Sequence, residues 1–140
     1  VGPVTILARL IEGKFPPYAQ VIPKETQRRL SLNREEFLSA TRRIQHMAVD
    51  RSSSVKYELG QGKVTLRAST ADVGDAVEEV KAVLTGTPIS VAYNSRFIVE
   101  GLKVFQGEEV TFGFTDSVGP STLTSASDPA YLYIVMPMRI

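Results

Sequence analysis

The chain lacks cysteine, and none of its apolar runs is long enough to cross a membrane. Without cysteine, disulfide frameworks, thiol nucleophiles and cysteine-ligated metal sites are excluded. A membrane-spanning helix needs roughly 20 consecutive apolar residues, and the first residues also lack the charged segment, apolar core and cleavage site of a signal peptide. We therefore expect a soluble protein of the cytoplasm that does not contact a membrane.

The sequence also has no large excess of positive or negative charge. The 16 lysines and arginines against 15 aspartates and glutamates give a net charge of +1, so the sequence predicts no global attraction to nucleic acid. Any contact with DNA must depend on where individual basic residues lie. The length of 140 residues and the hydrophobic content of 43% suit one domain with a substantial core.

Residues that could carry catalysis or hold a metal are few and poorly arranged. The single histidine, His46, has no accompanying serine or cysteine nucleophile pattern. The Gly60–Gly62 segment lacks the lysine and helix start of a phosphate-binding loop. Four acidic residues would be scattered over both faces of a predicted strand, without the glycine-centred loop of a calcium site: Asp72, Asp75, Glu78 and Glu79. We predict no enzyme activity, no metal and no cofactor.

The first strand-like run covers Val4 to Ile11 and is followed by the breaking sequence Gly13–Pro17. From Arg29 on, the same succession of elements occurs twice. The first pass is a short strand over Arg29–Leu32, a cap at Asn33 and a helix from Arg34 to about Ala48. Helical periodicity predicts that this helix buries Phe37, Leu38, Thr41, Ile44 and Ala48.

A hairpin with its turn at Gly60–Gly62 is predicted after the first helix. Its alternation predicts two sets of side chains. Those that face the core are Val55, Tyr57, Leu59, Val64, Leu66 and Ala68. Those that face water are Lys56, Glu58, Lys63, Thr65 and Arg67. A third strand is predicted from Ala76 to about Leu84.

The second pass repeats this order, with a strand over Ile89–Tyr93, a cap at Asn94 and a helix to about Val104. The face predicted for this helix is Phe97, Ile98, Gly101, Leu102 and Phe105. Three segments precede a last strand in the tail: a strand over Glu109–Phe114, a turn at Asp116–Gly119 and a strand over Pro120–Ser125. The duplication predicts an α+β domain whose two helices pack on one face of an antiparallel sheet.

The tail, Tyr131–Ile140, is apolar on both faces of its predicted strand. Pro137 prevents the strand from continuing in the middle of a sheet. Flexible, polarisable Met136 and Met138 are suited to variable apolar guests. The tail is therefore either a groove for a partner peptide or a last core strand whose end is covered.

Four sequence elements together resemble the C-terminal third of the bacterial DNA sliding clamp, the beta subunit of DNA polymerase III. They are Ile11–Tyr18, Val21–Pro23, Thr115–Val118 and Tyr133–Ile140. The resemblance covers nearly the whole chain. It implies the DNA-clamp fold, with residues 1–18 as the last strand of the middle clamp domain and a linker, and residues 19–140 as the C-terminal clamp domain. Because the chain begins with Val1, we also expect a piece of a longer protein.

The resemblance implies a processivity factor of DNA replication without catalytic activity. Two subunits would form a ring around duplex DNA and would hold it without sequence specificity. This ring would tether DNA polymerase III subunits, the clamp loader and other clamp-binding proteins by short apolar motifs. The implied peptide groove consists of Pro16, Gln20, Val21, Asn94, Phe97, Val118, Pro120, Ile134, Val135, Met136, Pro137, Met138 and Arg139. Gln20 and Phe97 depart from the basic residue and the tyrosine that many members carry there.

Two further sites are implied. The DNA-facing candidates are Arg42, Arg43 and Lys103, and the subunit-interface candidates are His46, Met47, Asp75, Glu78 and Glu79. The alternative for the basic residues is an ordinary solvated helix surface. The alternatives for the whole chain are a small ligand-binding α+β domain that uses the Tyr131–Met138 surface as a metabolite pocket, and a plain dimerisation module.

Overall fold

The computed structural model describes residues 2–15, 17–48, 53–70 and 74–139. Within these residues the fold consists of eight strands, two α-helices and a short 3-10 helix at Tyr18–Gln20. In chain order the elements are β1 Arg28–Asn33, α1 Arg34–Gln45, β2 Ser54–Gly60, β3 Lys63–Thr70, β4 Gly74–Thr85, β5 Ile89–Asn94, α2 Ser95–Val104, β6 Glu109–Phe114, β7 Ser121–Thr124 and β8 Tyr133–Val135.

The eight strands form one antiparallel sheet in the order β5-β2-β3-β4-β1-β6-β7-β8. Each pass contributes three consecutive neighbours, β2-β3-β4 and β6-β7-β8. The first strand of each pass pairs with a strand of the other pass, since β1 pairs with β6 and β5 with β2. The long strand β4 joins the halves because it pairs with β3 from Gly74 to Lys81 and with β1 from Ala82 to Thr85.

Both helices begin at the predicted asparagines. The side chain of Asn33 accepts a hydrogen bond from the Glu36 N–H at 3.0 Å, and that of Asn94 accepts one from the Arg96 N–H at 3.0 Å. Each oxygen satisfies one of the N–H groups that the first turn of a helix leaves free. The two helices pack against each other, α1 also against β3 and β4, and α2 also against β5 and β8.

An aromatic cluster under the helices connects the two passes. The ring of Phe37 on α1 lies 5.9 Å from that of Tyr57 and 5.5 Å from that of Phe112. Tyr57 in turn lies 5.6 Å from Tyr93. All four side chains are buried, and tilted or edge-to-face pairs of aromatic rings add to the free energy of burial. The core is therefore shared between the passes and not divided between them.

Three predictions about local structure were wrong. Val4 to Ile11 forms no strand, because no described strand pairs with it, and its apolar side chains lie exposed. Helix α1 ends at Gln45, and His46 to Ala48 follow in a tight turn closed by N–H bonds to the carbonyls of Arg43 and Ile44. Thr65 is buried, since its strand neighbours Glu58 and Glu79 reach across it to their ion-pair partners.

Candidate functional site

The apolar tail is fixed to three elements of the fold. Strand β8 pairs with β7, so that Val135 lies opposite Ser121. Beyond Pro137, the N–H of Met138 donates to the carbonyl of Ala92 on β5 at 2.8 Å. The hydroxyl of Tyr133 donates to the main-chain carbonyl of Phe97 on α2 at 3.0 Å. The tail therefore has a defined position although it leaves the sheet at Pro137.

Glycine at position 101 lets the tail approach α2. A Cβ atom at Gly101 would lie 2.7 Å from the Cδ1 and Cε1 atoms of the Tyr133 ring. Such a distance is far below van der Waals contact, so the ring occupies the space that any other side chain would fill. Burial raises the pKa of Tyr133, and the carboxylate of Glu100 raises it further. The phenol is therefore a neutral hydrogen-bond donor at neutral pH.

Large apolar side chains remain exposed around this tail. Met136 keeps 54% of its surface exposed, Phe97 on α2 keeps 50%, and Val118 in the β6–β7 turn keeps 64%. We call these three residues the tail surface. Val21 is 40% exposed, but no hydrogen bond or strand pairing among the described residues joins it or Gln20 to the tail. Clustered apolar exposure, unlike single exposed residues, is typical of a binding surface.

The other predicted groove residues take different positions. Val135 is buried in the core because alternation in β8 turns its side chain inward, so its side chain does not contribute to the tail surface. The side chain of Asn94 caps α2. Partly buried side chains are those of Pro120, Ile134, Pro137 and Met138. Gln20 and Arg139 are exposed, and Pro16 lies outside the described residues.

The turn that carries Val118 is held by Asp116. The Asp116 carboxylate accepts hydrogen bonds from the N–H groups of Val118 at 2.9 Å and Gly119 at 2.5 Å. These two bonds stabilise the charged form and hold the pKa of Asp116 below its usual range. The turn is also tied to the segment before β1, since the Thr115 hydroxyl donates to the carbonyl of Glu25 at 3.1 Å.

The three basic residues predicted to face DNA are all exposed on the helices. Arg42 and Arg43 lie in the last turn of α1, and Lys103 lies in the last turn of α2. Arg43 donates from Nε and Nη2 to the two oxygens of Glu78, both at 2.8 Å. This bidentate pair raises the pKa of Arg43 and lowers the pKa of Glu78. Arg43, predicted to face DNA, is thus paired with Glu78, predicted to lie at the subunit interface.

Of the remaining interface candidates, Asp75 and Glu79 lie on β4, and His46 and Met47 follow α1, which packs on β4. The Gly74–Lys81 half of β4 pairs with β3 on one side, and no described strand pairs with its other side. Asp75, Glu79 and His46 are exposed, and Met47 is half-buried with its carbonyl accepting from the Thr70 hydroxyl at 2.8 Å. Glu79 already forms an ion pair with Lys63 at 2.5 Å. Unpaired strand edges are templates for another chain.

The part of the chain that the structure describes contains neither a metal-binding cluster nor a membrane-spanning helix. No group of three or more histidine, aspartate or glutamate side chains is placed to hold a metal ion. No helix in the same residues has the length and apolar character needed to cross a membrane.

Sequence reasoning missed the contacts that position the tail. A glycine inside α2 is the one available signal, because glycine lowers helix stability and needs a packing reason there. Nothing in the sequence indicates that Tyr133 is the residue that fills the space above Gly101. The pairing of Arg43 with Glu78 was also missed, because the two residues are distant in sequence.

Comparison with known proteins gives consistent matches. The family model described as "DNA polymerase III beta subunit, C-terminal domain" matches residues 19–139. The beta sliding clamp of Caulobacter vibrioides is 30% identical over 99% of this chain and 37% of the relative. That of Treponema pallidum is 35% identical over 93% of this chain and 36% of the relative. The chain thus spans just over a third of the curated relatives it matches.

Solved structures agree with this result. The DNA polymerase III beta subunit of Thermotoga maritima superimposes with a TM-score of 0.88 at 32% identity, over 94% of this chain and 36% of the other. A sliding clamp of Bartonella birtlesii bound to griselimycin gives a TM-score of 0.87 at 31% identity, over 93% of this chain and 35% of the other. The fold predicted from the duplication, two helices on an antiparallel sheet, is confirmed.

Proposed function

Because this chain belongs to the bacterial beta sliding clamp family, the beta subunit of DNA polymerase III, we propose that it works in DNA replication as a non-catalytic processivity factor. Its role is to bind partner proteins through the tail surface. The observation that carries this proposal is the combination of a fixed tail with Met136, Phe97 and Val118 left half-exposed or more. Such a surface suits short peptide motifs with apolar anchors.

The partners of this surface are, by family membership, DNA polymerase III subunits, the clamp loader and other clamp-binding proteins of the cytoplasm. Residues 1–18 would belong to a preceding clamp domain and residues 19–140 to the C-terminal one. The exposed apolar side chains between Val4 and Ile11 support this division, since they have no partner among the described residues. A longer protein that begins one domain earlier should protect the amides of this segment from hydrogen exchange, and full exchange there would contradict the division.

A peptide titration tests the tail surface. We expect a short peptide rich in glutamine, leucine and phenylalanine to shift the amide resonances of Val21, Phe97, Val118 and 135–139. Met136→Ala should weaken binding by about 1–2 kcal/mol, roughly 5- to 30-fold in Kd, without lowering the melting temperature. Val83→Ala is the matched control, because Val83 is 70% exposed on β4. Equal losses for both variants, or shifts spread over the whole chain, would contradict the proposal.

The open edge of β4 supports a second part of the proposal, a ring of two subunits. Asp75 lies on this edge strand, His46 and Met47 follow the helix that packs on it, and an added strand would satisfy the free main-chain groups of Gly74–Lys81. Glu78 and Glu79 have partners within the chain, so a partner subunit would have to compete with Arg43 and Lys63 for them. Amide protection at the edge on dimer formation in the longer protein is the expected result, and a dimer with unprotected 74–81 amides would overturn it.

The DNA-facing part of the proposal places duplex DNA against the exposed faces of α1 and α2. Arg42 and Lys103 support it, because neither side chain has an ion-pair partner among the described residues. A clamp has to hold DNA without reading its bases, and basic side chains that reach phosphates meet this requirement. Arg43 differs from these two residues in having an internal partner.

A further inference from the structure

Two adjacent arginines of α1 have different environments. The guanidinium of Arg43 is held by both carboxylate oxygens of Glu78 in a bidentate pair. The side chain of Arg42 has no ion pair or hydrogen bond to another described residue. Successive residues of an α-helix point about 100° apart, so Arg42 lies away from the β4 side of α1, where Arg43 meets Glu78. The charge of Arg43 is therefore paired with that of Glu78, whereas Arg42 has no such partner among the described residues.

The neighbouring glutamates of β4 also differ. Side chains alternate between the two faces of a strand. Glu78 therefore lies on the same face of β4 as buried Val80 and Ala82, which is the face that α1 covers. Glu79 lies on the opposite face of β4, where it forms an ion pair with Lys63 on β3. Removing either carboxylate changes the net charge equally, but only the loss of Glu78 frees an arginine of α1.

We propose that Glu78 withholds Arg43 from DNA phosphates, so that Arg42 is the arginine of α1 that contacts the duplex. This inference rests on the proposed function, in which α1 faces DNA. A phosphate that binds Arg43 must displace a bidentate carboxylate held by the same chain, and bidentate pairs are the strong form of this contact. Arg42 gives a phosphate contact without such competition. Glu78 thereby limits the number of contacts, which favours movement along DNA over tight holding.

Binding of a fluorescent duplex of arbitrary sequence, followed by anisotropy over a salt series, tests the inference in this chain. Glu78→Gln should tighten binding, on the order of threefold at low salt, and steepen the slope of log affinity against log salt by about 0.9, the value of one phosphate contact. Arg42→Ala should weaken binding and reduce the slope by about the same amount. Arg43→Ala should leave the slope unchanged and lower affinity less than Arg42→Ala does, since it changes only the local charge.

The controls separate release of Arg43 from charge and stability effects. Glu79→Gln changes the net charge as Glu78→Gln does, but should raise affinity less and leave the slope at the wild-type value. The double variant Glu78→Gln with Arg43→Ala should lose the gain. Both Glu78→Gln and Arg43→Ala break the same ion pair, so a loss of stability common to them cannot explain a gain in affinity that only Glu78→Gln shows.

The outcomes distinguish the two proposals. The proposal that Glu78 withholds Arg43 would be overturned by equal gains in DNA affinity for Glu78→Gln and Glu79→Gln. It would also be overturned if Arg43→Ala lost as much affinity as Arg42→Ala. In both cases α1 would still contact DNA. If Arg42→Ala, Arg43→Ala and Glu78→Gln all bind like wild type, or if no variant binds the duplex, the DNA-facing part of the proposed function fails together with this inference, while the peptide titration still decides the role of the tail surface.

Discussion

The ring of Tyr133 on the tail lies directly over Gly101 of α2, so that a methyl group at Gly101 would meet ring carbons at 2.7 Å. The same ring donates its hydroxyl proton to the carbonyl of Phe97, one turn earlier in the helix. A single aromatic side chain therefore sets both the distance and the position of the tail relative to α2. The tail surface depends on this contact, since Met136 follows Tyr133 closely and Phe97 lies on the helix.

We predict that Gly101→Ala destabilises the fold and weakens peptide binding. Alanine gains about 1 kcal/mol over glycine in a helix, but the overpacked ring costs about 1–3 kcal/mol. The net loss should be about 0–2 kcal/mol in urea unfolding, with a larger proportional loss of peptide affinity because the ring has to move.

The sign of the effect should reverse when the ring is removed. In a Tyr133→Ala background, Gly101→Ala should stabilise the chain by up to about 1 kcal/mol, because only the helix propensity remains. If Gly101→Ala were stabilising in both backgrounds, the close approach of Tyr133 to α2 would be refuted.

The regular part of the fold could be predicted from the sequence because its signals are local. Asparagine caps, apolar periodicity and alternation each depend on residues within a few positions of one another, and they correctly indicated both helices and strands β1 to β8. Val4 to Ile11 was also predicted as a strand from its apolar run but formed none, since a strand also requires a neighbour to pair with. Thr65 was misplaced for a related reason, because long side chains on adjacent strands cover it.

The candidate site was less predictable because its geometry depends on contacts between distant residues. Exposed Phe97, Val118 and Met136 were proposed from resemblance, and their exposure on the structure supports that proposal without testing it. The inward direction of Val135 follows from strand alternation only when the pairing of β8 with β7 is known. The bidentate contact between Arg43 and Glu78 depends on how α1 packs on β4, which no local pattern indicates.

Two buried tyrosines provide a second prediction. The hydroxyls of Tyr93 and Ser121 lie 2.5 Å apart in the core. The hydroxyls of Tyr57 and Thr41 are buried close to each other, but among the described residues neither makes a hydrogen bond of normal geometry. Tyr93→Phe should lower the free energy of unfolding by about 1–3 kcal/mol, because it leaves the Ser121 hydroxyl buried and unpaired. Chemical denaturation measures this loss.

Tyr57→Phe is the matched control in the same aromatic cluster. It removes a buried hydroxyl that has no partner, so the change in stability should be near zero or favourable by up to about 1 kcal/mol. Equal destabilisation by the two variants would mean that the Tyr57 hydroxyl is hydrogen-bonded after all.

The third prediction concerns alkaline pH. Burial raises the pKa of both Tyr57 and Tyr93 well above the usual value near 10. Above pH 10 the unfolded chain loses these protons while the folded chain keeps them, so stability falls as pH rises. Tyrosinate absorbance should therefore show Tyr57 and Tyr93 ionising only together with unfolding, and each Phe variant should flatten the fall in stability. Ionisation of all five tyrosines before unfolding would contradict this assignment.

The last prediction concerns the turn that presents Val118. Asp116→Ala removes the acceptor of the Val118 and Gly119 N–H groups, so the turn should lose its fixed shape and peptide affinity should fall. The NMR peptide titration measures this, with the Val118 amide shift as the local readout. Since the pKa of Asp116 is lowered in the folded chain, its contribution to stability is present above the unfolded pKa of about 3.9 and is lost as pH falls through the folded value.

Asp116→Asn is the control for the role of this side chain. Asparagine keeps an oxygen acceptor of the same shape, so it should retain most of the peptide affinity at neutral pH while removing the titration of the turn. If Asp116→Asn were as damaging as Asp116→Ala, charge rather than turn geometry would be the contribution of Asp116. If neither variant changed affinity, Val118 would not belong to the peptide site, and the tail surface would reduce to Phe97 and Met136.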